Sequence, residues 1–327
     1  MLQASSPEWT PLFSGVNARL RGISAVNDRV VWASGANGTI VRTVDGGATW
    51  QRLTIPGAEK LDFRDIDAVD ADTAYALSIG TGDLSRIYKT SDAGVTWTEQ
   101  FVNRDPKAFF DAMAFWDGDR GVAISDSVDN QFVMVMTRDG GKTWSRVPAS
   151  ELPPALENEG FFAASGTNVA TLGRDHVWLG TGAAAEARVL RSTDGGRTWR
   201  LSQTPVAAGP SAGIFSIAFS DAQHGIIVGG DYKLEAQAVK NAAITSDGGA
   251  TWTLVSGLSG FRSVVSFLSP DGRNVIAVGP SGSDISHDRG VTWTPIAGPG
   301  FHTFSKSPRG TLGFGAGEKG SIGRLTN

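Results

Sequence analysis

Four side chains that can bind or transfer charge occupy the same position in a unit that this sequence repeats: Arg21, Arg64, Arg262 and His302. A guanidinium group is planar and binds a carboxylate through two parallel hydrogen bonds, so three of them converging from separate strands can hold one anionic group. If the units are neighbours in space, these residues form a continuous cationic arc. We therefore expect a site for an acidic protein segment or an anionic small molecule.

The remaining units carry Asp111, Phe162 and Phe215 at this position. Asp111 follows Arg64 in unit order, so we add it to the candidate binding residues. The alternative interpretation is structural. In that case the arginines pair with neighbouring acids such as Asp65 and only tie adjacent units together.

The loops after the second strand of each unit carry further polar side chains. Those we assign to the binding site are Asp231, Tyr232, Ser281 and Asp284. The loop over residues 229–241 is long for a hairpin, and long loops on a rigid scaffold often carry binding.

The same surface leaves a second function class open, a hydrolase or lyase acting on a saccharide or another carboxylated small molecule. Its candidate catalytic residues are Glu159, Asp111, Asp126 and Asp231, from which an acid/base pair would come, with His302 as a proton shuttle. A non-enzymatic binding or assembly module is our first expectation and the enzyme is the alternative. A deep pocket with two nearby carboxylates would favour the enzyme, and an open arginine surface would favour the module.

Six other aspartates recur in the octapeptide Ser/Thr-x-Asp-x-Gly-x-Thr-Trp, which ends at Trp50, Trp97, Trp144, Trp199, Trp252 and Trp293. An aspartate in such a turn can fold its carboxylate onto backbone N–H groups, and the following glycine supplies the positive φ that the turn needs. We predict that the six aspartates of these Asp-boxes form turns, and we leave them out of the site.

The elements that position these residues are strands. In the first unit they cover residues 20–26, 29–35 and 39–45, and residues 49–53, which begin with the Thr-Trp of the box, close the blade. Four antiparallel strands in about 40–50 residues are typical of a β-propeller blade. The last segment, 301–325, has three strands and no box, but Trp9-Thr-Pro-Leu matches Trp293-Thr-Pro-Ile. We predict one all-β domain over residues 1–327, a seven-bladed β-propeller in which an N-terminal strand at about 8–13 completes the last blade.

Composition excludes several classes of protein. Acidic residues outnumber basic ones by 33 to 29, which gives no general electrostatic reason to bind nucleic acid. No apolar run approaches the roughly 20 residues of a membrane helix, so we expect a soluble chain without membrane insertion. The chain has no Cys, its four His lack ligand spacing, and its glycine pairs fall in hairpins. We therefore expect no metal and no cofactor.

Beyond the boxes, the sequence resembles the BNR/Asp-box propellers, and among them the photosystem II stability/assembly factor-like family. The resemblance includes residues 61–70, 77–90, 159–167, 211–219, 228–232, 279–284 and 300–304. It implies a seven-bladed propeller. Photosynthetic members of that family assist photosystem assembly by binding a protein partner through an arginine-rich patch, which implies this role for Arg21, Arg64 and Arg262.

Sialidases also carry Asp-boxes and use an arginine triad against a carboxylate. This chain lacks their Phe-Arg-Ile-Pro start and has Tyr only at positions 75, 88 and 232. The start, MLQASSPEWTPLF, shows neither a basic n-region nor an apolar h-region. We expect an extracytoplasmic monomer, periplasmic or secreted, whose signal peptide has been removed.

Overall fold

A computed structural model of the chain describes residues 7–326. These residues form 28 strands, which pair into seven antiparallel sheets of four strands each. The innermost strands of consecutive sheets contact one another, and the innermost strand of the last sheet contacts that of the first. The sheets therefore form a closed ring of seven blades, and the predicted fold class is confirmed.

The first strand, β1 (Glu8–Phe13), belongs to the last blade, and the other strands follow in chain order from the inside of each blade outward. Blade 1 contains β2 (Leu20–Ala25), β3 (Val31–Gly35), β4 (Thr39–Thr43) and β5 (Gln51–Leu53). Blade 2 contains β6 (Asp62–Ala68), β7 (Ala74–Ile79), β8 (Arg86–Thr90) and β9 (Thr98–Val102). Blade 3 contains β10 (Phe110–Phe115), β11 (Gly121–Val128), β12 (Gln131–Thr137) and β13 (Ser145–Arg146).

Blade 4 contains β14 (Val169–Leu172), β15 (His176–Gly180), β16 (Arg188–Ser192) and β17 (Arg200–Gln203). Blade 5 contains β18 (Ala212–Phe219), β19 (Gly225–Asp231), β20 (Ala242–Thr245) and β21 (Thr253–Val255). Blade 6 contains β22 (Val264–Phe267), β23 (Val275–Gly279), β24 (Gly282–Ser286) and β25 (Thr294–Ile296). Blade 7 contains β26 (Thr303–Lys306), β27 (Gly313–Ala316), β28 (Ser321–Thr326) and β1. Short 3-10 turns cover Gly82–Leu84, Ala149–Glu151 and Glu318–Gly320.

The N-terminal strand closes the ring, as predicted. Strand β1 pairs antiparallel with β28 along its whole length, with Trp9 opposite Leu325. The Trp9 ring lies 4.6 Å from the Phe301 ring and 5.9 Å from the Phe304 ring, centroid to centroid. The outer edge of the last blade is therefore paired with the start of the chain and held by buried aromatic contacts.

The hydrophobic core lies between the blades. In the cluster between the first two blades, Trp32 and Ile40 of blade 1 pack against Phe63 and Ile66 of blade 2. Each sheet is covered on both faces by its neighbours, and this explains why all five residues of β3 are buried. Within residues 7–326, no helix is long and apolar enough to cross a bilayer.

The box aspartates form turns, as predicted. Asp45 Oδ1 accepts hydrogen bonds from Thr43 Oγ1 at 2.8 Å and from Thr49 N at 2.9 Å, and Oδ2 accepts one from Thr49 Oγ1 at 2.7 Å. The same three bonds recur at the other five box aspartates. The hydrogen bonds from Thr49 and Thr43 lower the pKa of Asp45 to about 2. The carboxylate oxygens of the box aspartates therefore accept hydrogen bonds from residues of their own turns.

Blade 4 departs from the expected pattern, because its inner strand begins at Val169 and not near Phe162. Residues 161–168, which we call the plug, have no strand structure and bond to distant blades instead. Ser165 Oγ donates to Ser263 O of blade 6 at 2.9 Å, and Thr303 Oγ1 of blade 7 donates to Ser165 O at 3.1 Å. Thr167 Oγ1 bonds to Ser216 Oγ of blade 5 at 2.8 Å. The plug therefore crosses the centre of the ring and fills the channel.

Candidate functional site

A pocket of about 720 Å³ opens above the plug, on the face where the inner strands begin. Its basic side chains are Arg19, Arg21, Arg64, Lys107 and His302, and its acidic ones are Asp111, Asp126, Glu159 and Glu235. Aromatic residues line the rest, including Phe162, Phe215, Phe261 and Tyr232. This volume lies within the roughly 300–1,000 Å³ of typical ligand pockets.

Four residues of the repeated position sit at β-bulges. The strand register skips one residue between Leu20 and Gly22 in β2, and shifts in the same way occur in β6, β10 and β18. The residues left unpaired are Arg21, Arg64, Asp111 and Phe215. A bulge re-aims the side chain of its extra residue, which explains why all four line the pocket. Part of the cationic arc thus exists, with Asp111 beside it.

Arg21 is a desolvated cation whose bonding capacity is only partly used. Its Nη1 donates to Ala164 O of the plug at 3.3 Å, while its buried Nε has no hydrogen-bond partner within residues 7–326. Burial, together with the nearby charges of Arg64 and Arg19, lowers the pKa of Arg21 to about 10. Like charges held together in this way are relieved by a bound anion.

Arg64 also holds the plug. Its Nη1 donates to Ala163 O at 3.0 Å, and its Nε donates to Asp62 Oδ2 at 2.9 Å. The partner acid is therefore Asp62. Asp65, which we considered as a partner, is buried and instead accepts a hydrogen bond from Met113 N at 2.7 Å.

Arg262 does not belong to this pocket, which corrects its assignment as a ligand-binding residue. Only 1% of its side chain is exposed, and it forms an ion pair with the fully buried Asp284, with Nη2 at 2.6 Å and Nε at 2.7 Å from Oδ2. Its Nη1 donates to Phe261 O at 2.8 Å and to Ser281 Oγ at 3.1 Å. The strand pairing of β22 with β23 has no register shift and starts at Val264, so no bulge turns Arg262 toward the pocket.

The assignments of Ser281 and Asp284 are corrected with it, because both side chains are engaged with Arg262. Arg262 pairs with an acid, as the structural alternative has it, but that acid belongs to its own blade and not to an adjacent unit. Its Nη2 also donates to Ser259 Oγ, so the hydrogen-bond donors of the guanidinium are all used within the protein.

Glu159 is not free to act as an acid or base, although it borders the pocket. Its carboxylate is fully buried and forms an ion pair with Arg188. It also accepts hydrogen bonds from Thr181 Oγ1 at 2.6 Å and Leu156 N at 2.8 Å. Asp231 does not line the pocket, and its Oδ1 accepts a hydrogen bond from Lys233 N at 2.9 Å. Both assignments as catalytic residues are therefore corrected.

Asp111 and Asp126 are the carboxyl groups of the pocket whose pKa values are raised. Burial, and then the charge of Asp126, raises the pKa of Asp111 well above its usual range, and its Oδ2 has no partner within the described residues. Burial raises the pKa of Asp126 to about 6, against the hydrogen bond that its Oδ1 accepts from Phe161 N at 2.8 Å. Both groups therefore hold protons more readily than ordinary carboxylates.

His302 lines the pocket, as expected, and its Nε2 lies 2.7 Å from Glu318 Oε1. Burial, with the neighbouring Arg21, lowers the pKa of His302 despite this contact. Tyr232 also lines the pocket, and 44% of its surface is exposed.

Two pocket features were missed in the sequence. Arg19 lines the pocket but precedes the repeated position by two residues, and Phe162, Phe215 and Phe261 line it although the sequence prediction did not include them among the binding residues. Within residues 7–326, no three His, Asp or Glu side chains are arranged to hold a metal ion.

No protein-family model matches this chain, and no curated protein sequence matches it. Among solved structures it is similar to YCF48 bound to D1 peptide, with a TM-score of 0.70 at 18% identity over 100% of this chain and 98% of that one. It is also similar to YCF48 from Cyanidioschyzon merolae, with a TM-score of 0.62 at 18% identity over 97% and 98% of the two chains. A GH74 enzyme from Niastella koreensis gives 0.65 at 17% identity, over 96% of this chain and 53% of the enzyme.

These likenesses show the fold. The similarity to YCF48 extends over the full chain, so the resemblance drawn from the sequence is confirmed at the level of the fold, a seven-bladed propeller.

Proposed function

We propose that this chain is a non-enzymatic binding module whose pocket holds an acidic segment of a protein partner. The observation that carries the proposal is the convergence of Arg21 and Arg64, from bulges of adjacent blades, on one pocket that also contains Arg19. We call these three side chains the cationic wall.

The charge balance of the wall supports an anionic ligand. Arg64 is paired with Asp62, whereas no direct ion pair of residues 7–326 involves Arg19 or Arg21. A carboxylate placed here would accept charge-assisted hydrogen bonds from donors that the fold leaves unused, and would offset the repulsion that, after burial, contributes to the lowered pKa of Arg21.

The structural neighbours support a protein segment as the occupant. YCF48, which has the same fold over the same length, is described in complex with D1 peptide. A concave polar face on a rigid propeller is suited to hold an extended segment of another protein. An anionic small molecule shares the carboxylate chemistry and would use the same wall.

The test is a fluorescence-anisotropy titration with two labelled, capped peptides that differ only in charge, one with three successive Asp and one with three Asn. We expect the Asp peptide to bind at least about tenfold more tightly, because each charged hydrogen bond contributes roughly 1.5–3 kcal/mol. The double variant Arg21→Gln/Arg64→Gln should lose this preference. The control Arg52→Gln changes an exposed arginine on the outer strand of blade 1 and should bind like the unmodified protein.

Because Arg21 and Arg64 also hold the plug, their replacement can lower stability. Arg19→Gln tests the same wall from a position not bonded to the plug, and thermal melting reports the folded fraction of each variant. Equal binding of the Asp and Asn peptides, or an unchanged affinity of both pocket variants for the Asp peptide, would refute the proposal.

One observation favours the enzyme as a second candidate. Asp111 and Asp126 share the pocket and both have raised pKa values, a pattern that is common at catalytic sites. Of the four carboxylates predicted as catalytic, these two are the ones that line the pocket without an ion-pair partner in the part of the chain that the structure describes. Hydrolysis of oligosaccharide substrates that is abolished by Asp126→Asn would support it, and no turnover in either protein would exclude it for those substrates.

A further inference from the structure

The pocket has an aromatic wall formed by Phe162, Phe215, Phe261 and Tyr232. The Phe162 and Phe215 rings stack, with centroids 3.9 Å apart and planes at 7°. Tyr232 stands edge-on to both, at 6.2 and 6.1 Å, and Phe261 packs edge-on against Phe215 at 4.6 Å. The four rings thus form one packed aromatic cluster along the lining of a partly polar pocket.

Part of this wall is accessible to a ligand. Phe215 and Phe261 are buried at 2% and 3% exposure, whereas Phe162 is half-buried and Tyr232 is 44% exposed. The loop that carries Tyr232 also exposes Leu234 and Val239, at 45% and 61%. Phe162 and Tyr232 are therefore the members of the aromatic wall that a ligand in the pocket can contact.

The aromatic wall and the cationic wall come from different parts of the ring. Phe162, Phe215, Tyr232 and Phe261 lie in or beside blades 4, 5 and 6, and the cationic wall comes from blades 1 and 2. The plug connects the two walls: Arg64 bonds to Ala163 O and Arg21 to Ala164 O, one and two residues after Phe162. One or two residues of chain span at most about 7 Å, so the backbone groups that bond the cationic wall lie within about two residues of the one that carries Phe162, and a short ligand lying on the plug can contact both walls.

The arrangement of the two walls determines the chemical class of the ligand. In an extended segment, successive side chains point to opposite sides. An acidic residue directed at the cationic wall therefore directs its neighbour at the aromatic wall. A carboxylate against the aromatic wall would lose its solvation without gaining hydrogen bonds. An apolar group against the cationic wall would leave the guanidinium donors without partners.

We propose that the partner segment is extended and carries an acidic residue directly next to an aromatic or large aliphatic residue, which packs on Phe162 and Tyr232. This inference rests on the proposed function, because the acidic residue occupies the cationic wall. It adds a requirement for an apolar neighbour that charge alone does not impose.

The test uses four labelled, capped hexapeptides with a Gly/Ser background and Asp-Phe, Asp-Ala, Asn-Phe or Asn-Ala at the centre, titrated by fluorescence anisotropy. We expect Asp-Phe to bind about tenfold more tightly than Asp-Ala, because the added ring buries apolar area and gains aromatic contacts. In Tyr232→Ala the preference for Phe should fall to about threefold or less, and Tyr232→Phe should retain it. Phe13→Ala, which removes an aromatic ring that is 87% exposed on β1, is the matched control and should change nothing.

The outcomes separate this inference from the proposed function. Equal binding of Asp-Phe and Asp-Ala overturns the inference and leaves the acidic-segment proposal intact. Weak and equal binding of all four peptides overturns both. A preference for Phe that persists unchanged in Tyr232→Ala also overturns the inference, because the ring would then bind elsewhere.

Discussion

Replacing Arg262 should destabilise the fold and leave ligand binding unaffected, although Arg262 occupies the same sequence position as Arg21 and Arg64. Its side chain and that of Asp284 are 1% and 0% exposed, and they form an ion pair at 2.6 Å. In Arg262→Gln the buried Asp284 carboxylate loses its charged partner. Removing one member of a buried pair typically costs about 3–5 kcal/mol, because the other charge remains buried.

The expected shift in melting temperature follows from chain length. The unfolding entropy of roughly 2.1 cal/mol/K per residue gives about 0.7 kcal/mol/K for 327 residues. A loss of about 3–5 kcal/mol therefore lowers the melting temperature by about 4–7 °C. The double variant Arg262→Gln/Asp284→Asn removes both charges and should recover most of this loss.

The assay is thermal unfolding followed by circular dichroism, combined with the Asp-peptide titration at a temperature where each variant is folded. Arg52→Gln, at an exposed site, should melt like the unmodified protein. A melting temperature of Arg262→Gln within about one degree of the unmodified protein would contradict the ion-pair argument. Unchanged stability together with lost peptide binding would return Arg262 to the binding site.

Two further predictions concern the closure of the ring and the ionisation of Asp126. Trp9→Ala should cost about 3–5 kcal/mol in urea unfolding, because it empties a buried site against Phe301 and Phe304, and an unchanged midpoint would contradict closure by β1. The pKa of Asp126 is raised to about 6 in the folded protein, so the folded state binds this proton more tightly than the unfolded chain does. The contribution of Asp126 to the free energy of unfolding therefore falls as the pH rises from about 4 to 6. Asp126→Asn should therefore be more stable than the unmodified protein by about 2–3 kcal/mol at pH 8 and equal to it at pH 4, and equal stability at pH 8 would show that Asp126 ionises normally.

The fold was predictable because its signals are local and repeated. Each octapeptide fixes one turn through bonds within a few residues, as at Asp45, and repetition sets the blade count. Closure by Trp9 was predictable because it matches Trp293 in type and context. Such features depend little on distant parts of the chain.

The plug was not predictable from the same alignment. Residues 161–168 match the inner-strand position of other units, but their bonding partners Ser216, Ser263 and Thr303 lie in three other blades. Two alanines and Gly166, which has a positive φ of 75°, are the local signals that this segment bends instead of forming a strand. The sequence of the plug does not indicate which blades it contacts.

The difference between Arg21 and Arg262 shows what decides whether a residue reaches the site. Both occupy one aligned position, but Arg21 is the extra residue of a bulge and Arg262 precedes a regular strand pairing. A bulge depends on the register between two strands, and the sequence of one strand does not state that register. Arg21, at a bulge, lines the pocket. Arg262, before a regular strand, bonds instead to Asp284, which is 22 residues away in the chain. Repeated position therefore identifies the candidates for the site, and strand register selects the members among them.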